Sequence, residues 1–83
     1  MKLLKFYASW CAPCKMLSSV IDEVDVKMPI VEINIDTDTD TAIKYGIRGV
    51  PTLIVVDENE NEVARKSGVM NKAQLEAFLP KAE

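Results

Sequence analysis

The sequence contains no histidine and only two cysteines, Cys11 and Cys14. Two cysteines so close together cannot form the spread framework of bridges that staples small secreted domains. A bridge enclosing two residues closes a tiny loop and removes little entropy from the unfolded chain. The chain also lacks any uninterrupted apolar run of about 18 residues, so no membrane-spanning helix is expected. It has no block of basic residues: 10 lysines and arginines face 13 scattered acidic residues, for a net charge of −3. That balance argues against a nucleic-acid surface and for a solvated exterior. Internal repeats, linkers and low-complexity tails are absent as well.

What remains is 83 residues, of which 48% are apolar. One domain spanning 1–83 is expected, acting as a monomer. A chain this short buries only about 60% of its unfolded surface, so its stability margin is thin. The opening MKLLKFYASWCA has a basic residue and some apolar ones, but Lys5 interrupts the run. Removing it as a leader would cut beside Cys11, so it reads as the first strand of a cytoplasmic protein.

Residues 2–8 (KLLKFYA) form an apolar, aromatic strand. Leu17, Val20, Ile21, Val24 and Met28 then recur at spacings of three and four, one stripe of a helix. The helix should begin at Cys11 or Ala12, because Pro13 is tolerated only in a first turn. Pro29 should end it by disfavouring helix at Met28. Residues 30–35 (IVEINI) alternate as a strand, with Val31, Ile33 and Ile35 on one side and Glu32 and Asn34 on the other. Residues 36–40 (DTDTD) offer N-caps to a short helix over Ala42–Tyr45, and Gly46 suits its C′ position. The run also has the D-x-D-x-D spacing of a calcium loop. Thr41 and Ile47 stand where such a loop needs glycine and a bidentate glutamate, so it reads as caps.

Pro51 leads into a buried-type strand, Thr52–Val56. A hairpin turn over Asp57–Asn61 returns as Glu62–Lys66, whose charges suit a sheet edge. Gly68 breaks the pattern. Asn71 caps a last helix with Leu75, Phe78 and Leu79 on its apolar face. The order is β-α-β-α-β-β-α: an α/β domain with a four-stranded mixed sheet flanked by three helices. Its first two strands are parallel through a right-handed crossover.

The cysteine pair needs a chemical explanation. The nucleophile in disulfide exchange is a thiolate, and unpaired N–H groups at a helix start lower the pKa of a thiol placed there. Cys11, before the first turn, is expected to be exposed and to attack a substrate disulfide. Cys14, one turn in, is expected to be more buried and to resolve the mixed disulfide by attacking Cys11 Sγ. Pro13 stiffens the turn between them. Two other readings stand beside this one. Cx2C often supplies two of four zinc ligands, but with no histidine the others here would have to be carboxylates, which structural zinc sites disfavour. Two inert buried cysteines are the other reading, and the position between a strand and a helix start argues against it.

Trp10-Cys11-Ala12-Pro13-Cys14-Lys15 resembles the WCxPC(K) signature of thioredoxins. So do Asn34-Ile35-Asp36, the stretch from Lys44-Tyr45-Gly46 through Gly49-Val50-Pro51-Thr52, and Ser67-Gly68-Val69. The resemblance covers nearly the whole chain and keeps the family's spacings. It implies a thioredoxin-like fold without the usual extra N-terminal strand and helix, a core of glutaredoxin size like the small thioredoxins of archaea and phages. It implies a cis bond before Pro51, which bare X–Pro statistics would not. Val50 would offer its backbone to an extended substrate segment. Trp10, Ala12, Pro13, Val50, Pro51 and Val69 would make the substrate-binding rim, with Trp10 as an apolar wall rather than a core aromatic.

One departure from the family concerns charge. Thioredoxins usually carry a buried aspartate six residues before the first cysteine, where this chain has Lys5. They usually carry a lysine on the next strand, where this chain has Glu32. With both signs exchanged, an ion pair of reversed polarity is expected under the cysteines, unless Lys5 snorkels to solvent. The candidate catalytic set is therefore Cys11, Cys14, Glu32 and Lys5. Either Glu32 serves as base for Cys14, or the Lys5 ammonium stabilises a thiolate and makes the couple more oxidising.

The function implied is a protein-disulfide reductase, re-reduced by a thioredoxin reductase, with no cofactor or metal. A glutaredoxin-like use of glutathione fits less well, because residues 67–71 carry one glycine and no acid. A redox-independent docking module is the third reading, using the same apolar rim.

Overall fold

The computed structural model describes residues 1–79, so the last four residues of the expected 1–83 domain lie outside it. Four strands and three helices follow in order: β1 (Lys2–Tyr7), α1 (Ala12–Asp22), β2 (Ile30–Asn34), α2 (Thr39–Lys44), β3 (Thr52–Val56), β4 (Glu62–Ser67) and α3 (Lys72–Phe78). The strands form one mixed sheet in the order β2-β1-β3-β4. β1 and β2 are parallel, joined through α1, and the other neighbours are antiparallel. This is the architecture expected from the sequence.

Alternation along the two central strands divides the core. Leu3, Leu53 and Val55 meet Leu17 and Ile21 of α1, Met70, and Leu75 of α3. Leu4, Phe6, Ile33, Ile54 and Val56 face the other way, with Tyr45 and Ile47 after α2 packed against them. β3 is buried at every position, which explains its continuous apolar sequence.

Helix α1 is shorter than its apolar stripe. It ends at Asp22 with Glu23 as C-cap, whose N–H bonds back to Val20, and Val24 bonds back to Ile21. The expected run to Met28 is therefore corrected. Val24, Val26 and Met28 still pack on the core, from a loop. At α2 the helix starts earlier than expected, because Asp38 caps it and accepts from Thr41 N–H. Gly46 closes it in the left-handed region (φ 65°). Its N–H donates to the Ile43 carbonyl and that of Ile47 to Ala42, respectively the five-to-two and six-to-one bonds of a Schellman end.

Asn71 and Gln74 cap α3 reciprocally: each side chain accepts from the other's backbone N–H, at 2.8 and 3.0 Å. Asn71→Ala removes one of these acceptors. It is expected to cost about 1 kcal/mol, read as a lower urea midpoint at unchanged slope.

Candidate functional site

β1 delivers the chain to the site. After Tyr7, the Ala8 carbonyl accepts from the Cys11 N–H, which turns the chain sharply into α1. Cys11 is the N-cap, with extended backbone, and Pro13 lies in the first turn as required. The Cys11 Sγ accepts from the Cys14 N–H at 3.1 Å. The two cysteines are joined as a disulfide, with Cα atoms 5.3 Å apart.

The expected difference in exposure between the two cysteines is absent: Cys11 and Cys14 are each 3% exposed. Both pack with Ala8, against Tyr7, Ile35 and Val50. The physical reason is that the Cys11 side chain folds back over the first turn, towards the Cys14 amide and the bridge, instead of pointing out from the loop.

Around the sulfurs the rim is open. Trp10 is 68% exposed, so it is no core aromatic, and its indole N–H donates to Asp36 at 2.9 Å. Ala12 and Pro13 are exposed, and Val69 is exposed at 44%. The Val50–Pro51 bond is cis. Val50 packs on the cysteine cluster, while Pro51 is buried. Three bonds tie this turn down. The Gly68 N–H donates to the Pro51 carbonyl at 2.9 Å, from a left-handed backbone (φ 88°). The Thr52 hydroxyl donates to the Gly49 carbonyl at 2.8 Å and lies 3.4 Å from Ser67 Oγ. Among the described residues, no hydrogen bond engages the backbone of Val50.

The reversed charge pair stands on β1 and β2. The parallel register sets Lys5 opposite Glu32, and their side chains meet at 3.0 Å. Lys5 does not snorkel: its side chain is 7% exposed, whereas that of Glu32 is 60% exposed. Lys5 also donates to Ser18 Oγ and lies over the Tyr7 ring. The Ser18 hydroxyl donates in turn to the Cys14 carbonyl at 3.0 Å. Sequence reasoning missed Ser18 and Asp36. Ser18 sits one turn after Cys14, which was a readable signal, but nothing in the sequence says that a lysine reaches it. Among the described residues, no three His, Cys, Asp or Glu side chains cluster as a metal site, and no helix is long and apolar enough to cross a membrane.

A strand that hands a cysteine pair to a helix N-terminus, within a β-α-β unit, is the arrangement of thiol–disulfide oxidoreductases with a thioredoxin-like fold. The Thioredoxin family model matches residues 1–81. The chain is 44% identical to a thioredoxin of Pseudomonas aeruginosa over 81 residues, covering 93% of this chain and 74% of that protein. It is likewise 44% identical to a thioredoxin of Bacillus subtilis, covering 95% and 79%. Among solved structures, a mutant thioredoxin from Halobacterium salinarum superposes with a TM-score of 0.81 at 31% identity, covering 99% of this chain and 77% of that one. The chain belongs to the thioredoxin family, and Cys11–Cys14 is its thiol–disulfide exchange site.

Proposed function

We propose that this chain reduces disulfides in other proteins as a single-domain, cytoplasmic monomer, and that a thioredoxin reductase returns it to the dithiol. The observation that carries this reading is the disulfide-bonded pair at the start of α1, beside an anchored turn whose Val50 backbone makes no hydrogen bond among the described residues. In the dithiol form, the Cys11 thiolate attacks one sulfur of a substrate disulfide. That bond breaks, a substrate thiolate leaves and takes up a proton, and Cys11 is held in a mixed disulfide. Cys14 loses its proton and attacks Cys11 Sγ. The Cys11–Cys14 bond forms, and the second substrate thiolate departs. Two electrons have passed to the substrate, and the reductase must supply two electrons and two protons to reset the pair.

The rim has a role in each step. Trp10, held by Asp36, walls the sulfurs together with Ala12 and Pro13. Val50 offers its N–H and C=O to an extended substrate strand, Pro51 sets the direction of that rail, and Val69 lines its far side. Lys5 and Glu32 form the charged pair that handles the Cys14 proton. Either Glu32, which faces water, takes it up, or the buried Lys5 ammonium stabilises the thiolate.

Insulin reduction tests the reading. Turnover is expected with NADPH and thioredoxin reductase. Turnover only with NADPH, glutathione and glutathione reductase would move the chain to a glutaredoxin-like role. Activity in neither arm would reject the reductase reading.

A further inference from the structure

The reversed ion pair is unequal in one respect that matters for Cys14. Its cation is almost wholly buried and its anion is mostly in water, at 7% and 60% exposure. Water screens an exposed carboxylate far better than a buried ammonium, so the pair is not neutral as seen from the interior. A net positive field therefore points into the sheet–α1 contact, towards the first turns of the helix that carries the cysteines. Every buried side-chain nitrogen and oxygen among the described residues has a hydrogen-bond partner. For Lys5 the partners are Glu32 and Ser18.

Ser18 is what ties this cation to the cysteine helix. An ammonium only donates, so a hydroxyl that accepts from it must send its own proton elsewhere. The Ser18 proton goes to the Cys14 carbonyl, one turn back. The hydroxyl is thus oriented at both ends, and it fixes the Lys5 nitrogen against the turn containing Cys14. Without it, Glu32 would be the only hydrogen-bond acceptor left to Lys5 among the described residues, with the Tyr7 ring beside it. That carboxylate lines a cleft of about 360 Å³, which Asp22 also lines. Lys5 would then be drawn outward, towards two carboxylates and water. Among the described residues, the charged and titratable groups around this contact are Cys11 at the N-cap and the exposed Lys15 on α1, Lys5 and Tyr7 from β1, Glu32 from β2, Asp36 beyond it, held by Trp10, and Asp22, which lines the same cleft as Lys5 and Glu32.

We propose that Ser18 is a positioning residue that holds the Lys5 ammonium against the Cys14 turn, and that this cation stabilises the Cys14 thiolate from below. The inference rests on Cys14 being the resolving cysteine. It gives the pair a way to make that nucleophile by field rather than by a buried base. Stabilising a thiolate stabilises the dithiol state, so the same contact makes the couple a stronger oxidant.

The test measures Cys14 alone. In a Cys11→Ser background, the ultraviolet absorbance of the thiolate is followed against pH for the parent, Ser18→Ala, Ser18→Thr, Lys5→Met and the Ser18→Ala/Lys5→Met double variant. Alanine is the better helix former, so the Ser18→Ala helix is secure. The expected result is that Ser18→Ala and Lys5→Met each move thiolate formation to higher pH. Ser18→Thr, which keeps the hydroxyl, titrates with the parent. The double variant shifts no further than Lys5→Met alone, because Ser18 acts through Lys5.

With both cysteines present, Ser18→Ala should shift the equilibrium with a glutathione buffer about three- to tenfold towards disulfide, tenfold being about 30 mV. A Ser18→Ala profile identical to the parent overturns the proposal, even if its melting temperature falls, since that is a purely structural serine. Additive shifts in the double variant overturn it too. Neither measurement needs a reductase or a protein substrate. A failed insulin assay therefore bears on the proposed function and not on this contact.

Discussion

Cys11→Ser is expected to reduce coupled insulin turnover to the uncatalysed background, while Cys14→Ser is expected to accumulate a covalent adduct with the substrate. The two outcomes differ because the two sulfurs do different work. Without Cys11 there is no sulfur at the N-cap to open the substrate bond, and a serine hydroxyl is not ionised at neutral pH. Without Cys14 the first exchange still proceeds, but nothing within the chain can attack the mixed disulfide. The adduct should be visible as added mass on non-reducing analysis and should vanish with a reductant. Both cysteines are equally buried in the disulfide state, so burial does not assign these roles. The assignment rests on position, with Cys11 at the N-cap and Cys14 one turn into the helix. A Cys11→Ser variant that forms the adduct, paired with a Cys14→Ser variant that does not, would exchange the roles.

The second large effect is on stability. Phe6→Ala is expected to cost about 3–5 kcal/mol, the usual range for deleting a buried aromatic ring. Phe6 is fully buried among Leu4, Ile33, Ile54 and Val56. Its ring meets that of Tyr45 edge-on at 5.9 Å, an arrangement that adds to the area term. A domain of 83 residues has a total stability of about 4–12 kcal/mol on a per-residue scale. The substitution therefore removes a large share of it, and the urea midpoint should fall by a similar share at unchanged slope. Urea unfolding followed by circular dichroism reads this directly. A loss below about 1 kcal/mol would mean that the site collapses to fill the cavity and that the ring contact contributes little. Phe6 also stands two residues before Ala8, the residue that turns β1 into the cysteine loop, so activity should fall with the fold.

Two of the expectations that needed the structure failed for instructive reasons. The apolar stripe Leu17, Val20, Ile21, Val24 and Met28 does mark residues that reach the core. Periodicity reports which positions are buried, but not how the backbone carries them there, and beyond Glu23 a loop does so. Cys11 was expected in the open because loops before helices are open. Its side chain instead lies back on the first turn, a choice among rotamers that no spacing records. Trp10 shows the opposite case. Its exposure followed from the family resemblance, yet the Asp36 carboxylate that holds it comes from beyond β2.

The chain's local chemistry was decided by the sequence alone. A strand, two cysteines flanking Ala12-Pro13 and a helix start are consecutive, so their order cannot vary with the fold. The polar run at 36–40, with Gly46 after it, likewise bounds α2, because caps act over one turn. The family resemblance paired Lys5 with Glu32, on two strands that the sequence makes parallel neighbours. Only the tertiary structure decided what that pair is. Packing α1 on the sheet buries the lysine, leaves the glutamate in water and brings Ser18 between the charge and Cys14. Burial and a third partner depend on how elements far apart in the chain close on one another, and the field felt by a thiol is set by that closure.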